Sequence, residues 1–301
     1  MKHVVSVSLG SSHRNGQALQ QFGGYDFLIE RVGTDGSIKQ AKKLIQEYDG
    51  KVDAIGLGGT DLYIYAGGRR YQFKETTAIA ASAHKTPVVD GSGIKNTLER
   101  RVAQYLSHNH DISLQHCRVL LVCAVDRFGM AQGFAEAGAE IVCGDLMFGF
   151  GVPFPIRSLA VLDRLARCIA PVITKLPVRW FYPTGNQQNR SQPRFREYFD
   201  EAAIIAGDFH FIKRYAPEDL QGKVIVTNTV TMEDEAELKA RGVKTLVTTT
   251  PEIGGRSYGT NLLEAILITL AAKNPQEMGT GEYENLLESY NLVPRVKMLL
   301  H

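Results

Sequence analysis

The sequence has little of what marks disulfide-bonded, zinc-binding or membrane proteins. It has four cysteines, Cys117, Cys123, Cys143 and Cys168, with no CxxC spacing. Their apolar surroundings favour buried thiols. No apolar run reaches the ~20 residues of a membrane-spanning helix, and the N-terminal MKHVVSVSLG is a strand pattern, too short for the apolar core of a signal peptide. We expect a reduced, cytoplasmic protein with no membrane partner.

The chain also lacks a charge excess. Its formal net charge is +2, and no long Lys/Arg block is present, so a nucleic-acid partner is not expected. No pattern of metal-ligating residues stands out, and we predict no metal site. Hydrophobic content of 44% and charged content of 22% in 301 residues are typical of a soluble globular protein of two domains or one large one.

The most informative stretch is residues 243–272, where a buried strand runs into a polar turn and then a long apolar helix from about Thr260. A helix N-terminus has free N–H groups and the positive end of the helix dipole, which favour an anion. The turn residues predicted to bind a substrate carboxylate or a phosphate are Thr249, Thr250, Arg256 and Ser257. The alternative is that Thr260 or Asn261 only caps the helix.

Near the N-terminus, a strand over residues 4–9 leads into the polar loop Gly10–Gly16. Such a loop can hold a phosphate, as in flavodoxin-like reductases. The segment after Gly16, however, has the pattern of a hairpin that turns on Gly23-Gly24. We favour the hairpin and keep the reductase as a minor alternative.

Three strand ends in the first half carry glycine together with an aspartate, at Asp35, Asp61 and Asp90. In open α/β sheets, ligands gather at the carboxyl ends of the strands. Asp61 is therefore predicted to contact the substrate, and Lys95 with Asp90 to transfer a proton, if burial shifts the lysine pKa. Ordinary turn chemistry would also explain the aspartates.

From Cys117 the pattern becomes a regular βαβ series, with strands at 118–125 and 140–143 and a helix at 128–136. This is the layout of a dinucleotide-binding unit, in which an acidic residue follows the loop by about 20 positions. Arg127, Gly129 and Asp145 are the predicted NAD or NADP contacts. Because only one glycine of the GxGxxG fingerprint is present, a structural unit without nucleotide is the alternative.

Further strands over 202–206 and 223–226 end near Asp208, His210 and Asn228. His210 beside Asp208 is the second predicted proton-transfer pair, with a merely structural pair as the alternative. The loop 179–193 is either a lid or an exposed connection.

These patterns predict an α/β fold of two domains. Residues 1–115 form an N-terminal mixed α/β domain with hairpins. Residues 116–301 form a Rossmann-like domain with a mostly parallel sheet, whose C-terminal helix packs back.

Several stretches resemble the bacterial family of quinate 5-dehydrogenases: VVSVSLGSS at 4–12, GTDG at 33–36, and residues 49–71, 86–101 and 248–264. They span most of the chain. The resemblance implies an NAD(P)-dependent oxidoreductase that acts on a polyhydroxylated cyclic acid.

Our lead hypothesis is an NAD(P)-dependent oxidoreductase of a small hydroxy or oxo acid, with its site in a cleft between the two domains. The alternative is a non-catalytic, two-lobed binding protein for a small anionic metabolite. The sequence leaves the oligomeric state open between a monomer and a homodimer.

Overall fold

The computed structural model describes residues 1–66, 69–109, 112–177, 191–253 and 256–300. The chain forms two larger β-sheets with helices on their faces. The predicted fold class is confirmed: two α/β domains, of which the first contains a hairpin and the second a mostly parallel sheet.

The first sheet has five strands in the order β2-β3-β1-β4-β7. Their bounds are β1 Lys2–Ser8, β2 Gly16–Phe22, β3 Tyr25–Gly33, β4 Ala54–Gly58 and β7 Val88–Val89. All neighbours are parallel except β2, which pairs antiparallel with β3. The hairpin turns at Gly23 and Gly24, whose φ angles of 58° and 79° suit glycine. The hairpin prediction is confirmed.

Two short hairpins lie outside the large sheets. One consists of β5, Tyr63–Ala66, and β6, Arg69–Gln72, and follows the end of β4. The other consists of β13, Glu252–Ile253, and β14, Arg256–Ser257.

Helices α1, Ile38–Tyr48, and α2, Lys74–Ala80, pack together beside the first sheet. The Ser37 hydroxyl caps helix α1, since it accepts a hydrogen bond from the Gln40 N–H. Its apolar face buries Ala41 and Ile45 against β1 and β4.

The second sheet has six strands in the order β15-β12-β11-β10-β8-β9, with only β15 antiparallel. Their bounds are β8 Arg118–Leu121, β9 Glu140–Cys143, β10 Ile204–Ala206, β11 Val224–Thr227, β12 Thr245–Thr248 and β15 Arg295–Met298. The accompanying helices are α4 Phe128–Glu136, α5 Leu159–Ile173, α6 Arg196–Glu201, α7 Phe209–Tyr215 and α8 Met232–Ala240.

Late in the chain, helices α9, Thr260–Ala271, and α10, Thr280–Ser289, return to the first sheet. Residues of both helices share a core with residues of β1, β3 and β4. We call the first sheet with α1, α2, α9 and α10 the first lobe, and the second sheet with α4–α8 the second lobe. The boundary near residue 115 stays a prediction.

Helix α3, Ser92–Asn109, belongs to both cores. Its first half places Ile94 and Leu98 in the core under the first sheet, and its second half places Val102 and Leu106 in the core under the second. Helix α3 therefore joins the two lobes through apolar packing.

The predicted lid at 179–193 falls mostly outside the described residues, which exclude 178–190. Among the helices that the structure describes, none is long and apolar enough to span a bilayer.

Candidate functional site

Charged side chains from the carboxyl ends of both sheets meet between the lobes. In a parallel sheet all strands end at one edge, so residues far apart in sequence gather there. Asp61 follows β4 of the first sheet, while Asp126 and Asp208 follow β8 and β10 of the second. Lys95 and Glu99 extend toward them from α3, which passes between the lobes.

Lys95 joins the two edges directly. Its Nζ lies 2.7 Å from an oxygen of Asp126 and 3.4 and 3.5 Å from the two oxygens of Asp61. Burial alone would lower the pKa of Lys95, but the two carboxylates outweigh it and raise the pKa. The same contact, with help from Arg127, lowers the pKa of Asp126 to about 2 although burial opposes it. Lys95 is therefore held as a cation and is poorly suited to accept a proton.

Arg127 makes the second link. Its guanidinium donates to Glu99 and, over 2.9 Å, to Asp208. Burial would lower the pKa of Arg127, but Glu99 and Asp208 outweigh it and raise the pKa further. Asp208 also accepts hydrogen bonds of 2.9 Å from the Asn228 amide and from the backbone N–H of His210. We name the six residues Asp61, Lys95, Glu99, Asp126, Arg127 and Asp208 the interlobe cluster.

Exposure differs within the interlobe cluster. The side chains of Arg127 and Glu99 are 4% and 0% exposed, whereas those of Asp126 and Asp208 are each 21% exposed. Within the described residues, Arg127 Nε and Glu99 Oε2 are buried without a hydrogen-bond partner. The deep members thus orient the cluster, and the two aspartates present oxygen atoms to the cleft.

A second contact crosses between the lobes at the loop that follows β1. Arg14 Nη2 lies 3.7 Å from Asp234 Oδ2 on α8, and Lys213 Nζ lies 2.9 Å from the other oxygen of Asp234. Burial lowers the pKa of His210 although the charge of Asp208 opposes this, and Arg14, Asp234 and Lys213 also act on it. Two ion pairs therefore connect the lobes, Lys95 with Asp126 and Arg14 with Asp234.

The predicted pairs Lys95–Asp90 and His210–Asp208 are arranged differently from expectation. Asp90 accepts hydrogen bonds from the Leu62 N–H, over 2.5 Å, and from the N–H and hydroxyl of Ser92 at the start of α3. Lys95 instead contacts Asp61 and Asp126. Asp208 contacts His210 through the backbone N–H, as the N-cap of α7. Lys95, Asp61 and Asp208 do belong to one cluster.

The residues predicted to hold a dinucleotide have other partners. The Asp145 carboxylate accepts hydrogen bonds from the N–H groups of Ala124 and Val125, over 3.2 and 2.8 Å. A diphosphate would need such loop N–H groups. Burial raises the pKa of Asp145 to about 6. Gly129 gives helix α4 close contact with α3, since an added Cβ would lie 2.4 Å from the carbonyl oxygen of Asn96.

The turn after β12 contributes buried hydroxyls. Thr249 and Thr250 are fully buried, and Thr250 Oγ1 donates to the Asn228 carbonyl over 3.1 Å. Thr249 Oγ1 has no hydrogen-bond partner among the described residues. Helix α9 begins after the N-cap Gly259 without a side-chain cap, so the alternative prediction of a Thr260 or Asn261 cap is wrong. The side chains of Arg256 and Ser257 lie outside the described part, and their role stays a prediction.

Glu99 was not predicted as a site residue, although a signal was present. Lys95 and Glu99 stand four residues apart on α3, which places them on one helix face. Glu99 is fully buried, and burial raises its pKa. Within the described ranges, no group of three or more His, Cys, Asp or Glu residues is arranged to hold a metal ion.

Solved structures similar to this chain include several solute-binding proteins. A galactofuranose-binding protein is 10% identical, with 97% of this chain and 99% of that chain covered and a TM-score of 0.37. An ABC-transporter solute-binding protein from Burkholderia multivorans is 13% identical, with coverages of 92% and 96% and a TM-score of 0.40. A periplasmic ribose ABC transporter protein from Conexibacter woesei is 11% identical, with coverages of 95% and 94% and a TM-score of 0.36. TM-scores of this size are too low to transfer a function.

These findings correct several predictions. The lead hypothesis of an NAD(P)-dependent oxidoreductase, with its NAD or NADP cofactor, is wrong, because Asp145 occupies the N–H groups that a nucleotide would need in the predicted loop. The expected cytoplasmic location is not retained, and one of the similar structures is that of a periplasmic protein.

Family comparisons are more specific. No curated protein matches the sequence. A model described as domain of unknown function DUF8753 matches residues 3–90, and one described as domain of unknown function DUF8754 matches residues 93–299. The resemblance to quinate 5-dehydrogenases is therefore wrong. Because the second model covers more than half of the sequence, the chain belongs to the DUF8754 family.

Proposed function

We propose that this protein is a non-catalytic binding protein that holds a small, uncharged, polyhydroxylated molecule between its two lobes. The observation that carries the proposal is the pair of partly exposed carboxylates, Asp126 and Asp208, at the carboxyl edge of the second sheet. Across the cleft, the first lobe contributes Asp61 and the loop that carries Arg14.

Both carboxylates are preorganised by buried cations. Asp126 is fixed by Lys95 at 2.7 Å, and Asp208 by Arg127 at 2.9 Å and by the Asn228 amide. A carboxylate held in place accepts hydrogen bonds from hydroxyl groups at a small entropic cost. The arrangement therefore suits a ligand that presents several hydroxyls in a fixed geometry.

The charge layout favours an uncharged ligand over an anion. Each exposed carboxylate already has its cation, so it needs a hydrogen-bond donor and not a further counter-ion. An anionic group beside either carboxylate would gain no unpaired cation and would meet a like charge. We therefore replace the anionic metabolite of the sequence-based alternative with a neutral polyol or sugar.

Catalysis is not part of the proposal, because the proton-transfer candidates are poorly placed. Lys95 is held protonated by two carboxylates, and Asp126 is held ionised. A general acid or base needs a pKa near the working pH.

The test is isothermal titration with monosaccharides and alditols, comparing wild type with Asp126→Asn and Asp208→Asn. A hydrogen bond to a charged group contributes about 1.5–3 kcal/mol, so each variant should weaken binding about 10- to 100-fold. Asp200→Asn, at an exposed ion pair on α6, is the matched control and should bind as wild type does. Circular dichroism checks that the variants fold. Binding that survives both substitutions in folded variants would refute the site.

A further inference from the structure

A cavity of about 650 Å³ lies in the first lobe, apart from the interlobe cluster. It is lined by hairpin β5–β6, the edge strand β7, the second half of α9 and the segment that leads to α10. None of the six cluster residues lines it. Its volume is within the range typical of small-molecule sites.

The floor of the cavity has two buried carboxyl groups, Asp90 and Glu264, which are 5% and 3% exposed. Glu264 accepts hydrogen bonds of 2.6 Å from the Gly91 N–H and from the Tyr283 hydroxyl. Gly93 has no room for a side chain, because an added Cβ would lie 2.1 Å from Glu264 Oε1. The carboxyl pair is therefore rigidly held.

The exposed part of the lining carries the opposite charge. Arg70 and Lys85 are exposed there, and Lys2 and Lys273 line the same mouth while paired with Asp53 and Glu282. Arg70 lies over two ring faces, 5.6 Å from the centroid of Tyr63 and 5.2 Å from that of Tyr65, and these cation–π contacts fix its position.

The lining also includes aliphatic side chains, among them Leu62, Val88, Val89, Ile268 and Ala272, together with Met278. The cavity thus combines buried carboxyl groups, exposed basic groups and apolar surface.

We propose that this cavity is a second binding site, for a zwitterionic amino acid with an apolar side chain. Its ammonium group binds Asp90 and Glu264, its carboxylate binds Arg70, and its side chain packs on the apolar part of the lining. Neither the predicted site nor the proposed cleft includes this arrangement.

Ammonium binding should release a proton. Burial, and then the charge of Asp90, raise the pKa of Glu264 to about 8, and burial raises that of Asp90. An ammonium ion at the floor favours the ionised form. The other titratable or charged groups that act on the pair are Lys95 from α3, Tyr63, Tyr65 and Arg70 from the hairpin, and Tyr283 from α10.

Three ligands of similar shape test the two charged groups separately. They are leucine, isoamylamine, which lacks the carboxylate, and 4-methylpentanoate, which lacks the ammonium. We expect leucine to bind at least 10-fold more tightly than either analogue in isothermal titration at pH 7. Titration in buffers of different ionisation enthalpy should show proton release with leucine. Equal binding of either analogue, or no binding by any apolar amino acid, would overturn the proposal.

Two substitutions locate the site. Glu264→Gln and Arg70→Ala should each weaken leucine binding at least 10-fold, and Glu264→Gln should abolish the proton release. The matched control is Glu284→Gln, at an exposed position on α10. Because Glu264 is buried, the surface variant Arg70→Ala keeps the test valid if Glu264→Gln fails to fold. Unchanged leucine affinity in Arg70→Ala would contradict the proposal that Arg70 binds the carboxylate.

Discussion

Lys95 connects the carboxyl ends of the two sheets, and its burial makes its ion pairs important for the stability of the interlobe cluster. Its side chain is 8% exposed and has an aspartate from each lobe as partner. Removing one partner of a buried ion pair leaves an uncompensated charge, which costs more than the pair contributes.

We expect Lys95→Met to lower the free energy of unfolding at pH 7 by about 3–5 kcal/mol. Asp126 has a folded pKa of about 2, below its unfolded value of about 3.9, so its stabilising contribution is present above pH 4 and lost as the pH falls toward 2. The deficit of the variant should therefore shrink at low pH. Urea titrations at pH 7 and pH 3 measure both effects.

The matched control is Lys43→Met, which breaks an exposed ion pair with Glu47 on α1. Its effect should stay within about 0.5 kcal/mol. If Lys95→Met were no more destabilising than Lys43→Met, the ion pairs of Lys95 would not join the lobes.

The titration of Glu264 gives the free energy of unfolding a second pH dependence, opposite in sign to that of Asp126. Its folded pKa of about 8 is above the unfolded value of about 4.3, so the folded state binds the extra proton. Stability is therefore highest below the unfolded pKa and decreases as the pH rises through 8.

Between pH 6 and 8 we expect a loss of up to about 1.4 kcal/mol per pH unit from this group. Glu264→Gln should reduce that slope, and Glu284→Gln should leave it unchanged. Chemical denaturation at three pH values measures it. An identical slope in wild type and Glu264→Gln would show that Glu264 does not titrate in this range.

The sequence indicates which residues stand at strand ends and helix starts, such as Asp61, Lys95 and Asp208, but not which side chains they contact. Which carboxylate Lys95 contacts depends on how the two lobes meet, and that contact joins residues 31 and 34 positions apart. Sequence patterns contain no term for such a contact.

Among the secondary-structure elements, helices α3 and α4 pack with backbone contact. Gly129 and Gly133, one turn apart on α4, face the carbonyl oxygens of Asn96 and Arg100 on α3. An ideal Cβ at either glycine would lie 2.4 Å from that oxygen. A larger residue there must push the helices apart.

We expect Gly133→Ala to destabilise the protein by about 1–3 kcal/mol, the usual cost of overpacking. Gly281→Ala on α10 is the control, since no atom lies within 4 Å of the added Cβ. Alanine is the better helix former, so this control should be neutral or stabilising by up to about 1 kcal/mol. Thermal denaturation compares the two. Equal effects would rule out close α3–α4 packing.

Local patterns predicted most elements. Strand β9 and helix α4 lie where periodicity and turn residues placed them. The packing partner of α9 was not predictable in the same way, because its residues Leu262–Thr269 are all buried. A helix that is apolar on every side has no hydrophobic face to indicate which sheet it packs against.

In the whole molecule, contacts between the lobes hold the proposed binding residues in place. Helix α3 belongs to both cores, and Arg14 forms a further ion pair between the lobes with Asp234. A cleft assembled in advance loses little entropy when a ligand binds. The polar groups between the lobes are then the source of ligand selectivity.

The most direct measurement is isothermal titration of the wild-type protein with uncharged monosaccharides and alditols, alongside carboxylic acids of similar size. We expect one saturable site for a neutral polyol, and carboxylic acids that bind at least 10-fold more weakly. Tighter binding of the acids, or no binding of any polyol at millimolar concentration, would contradict a polyol site between the lobes.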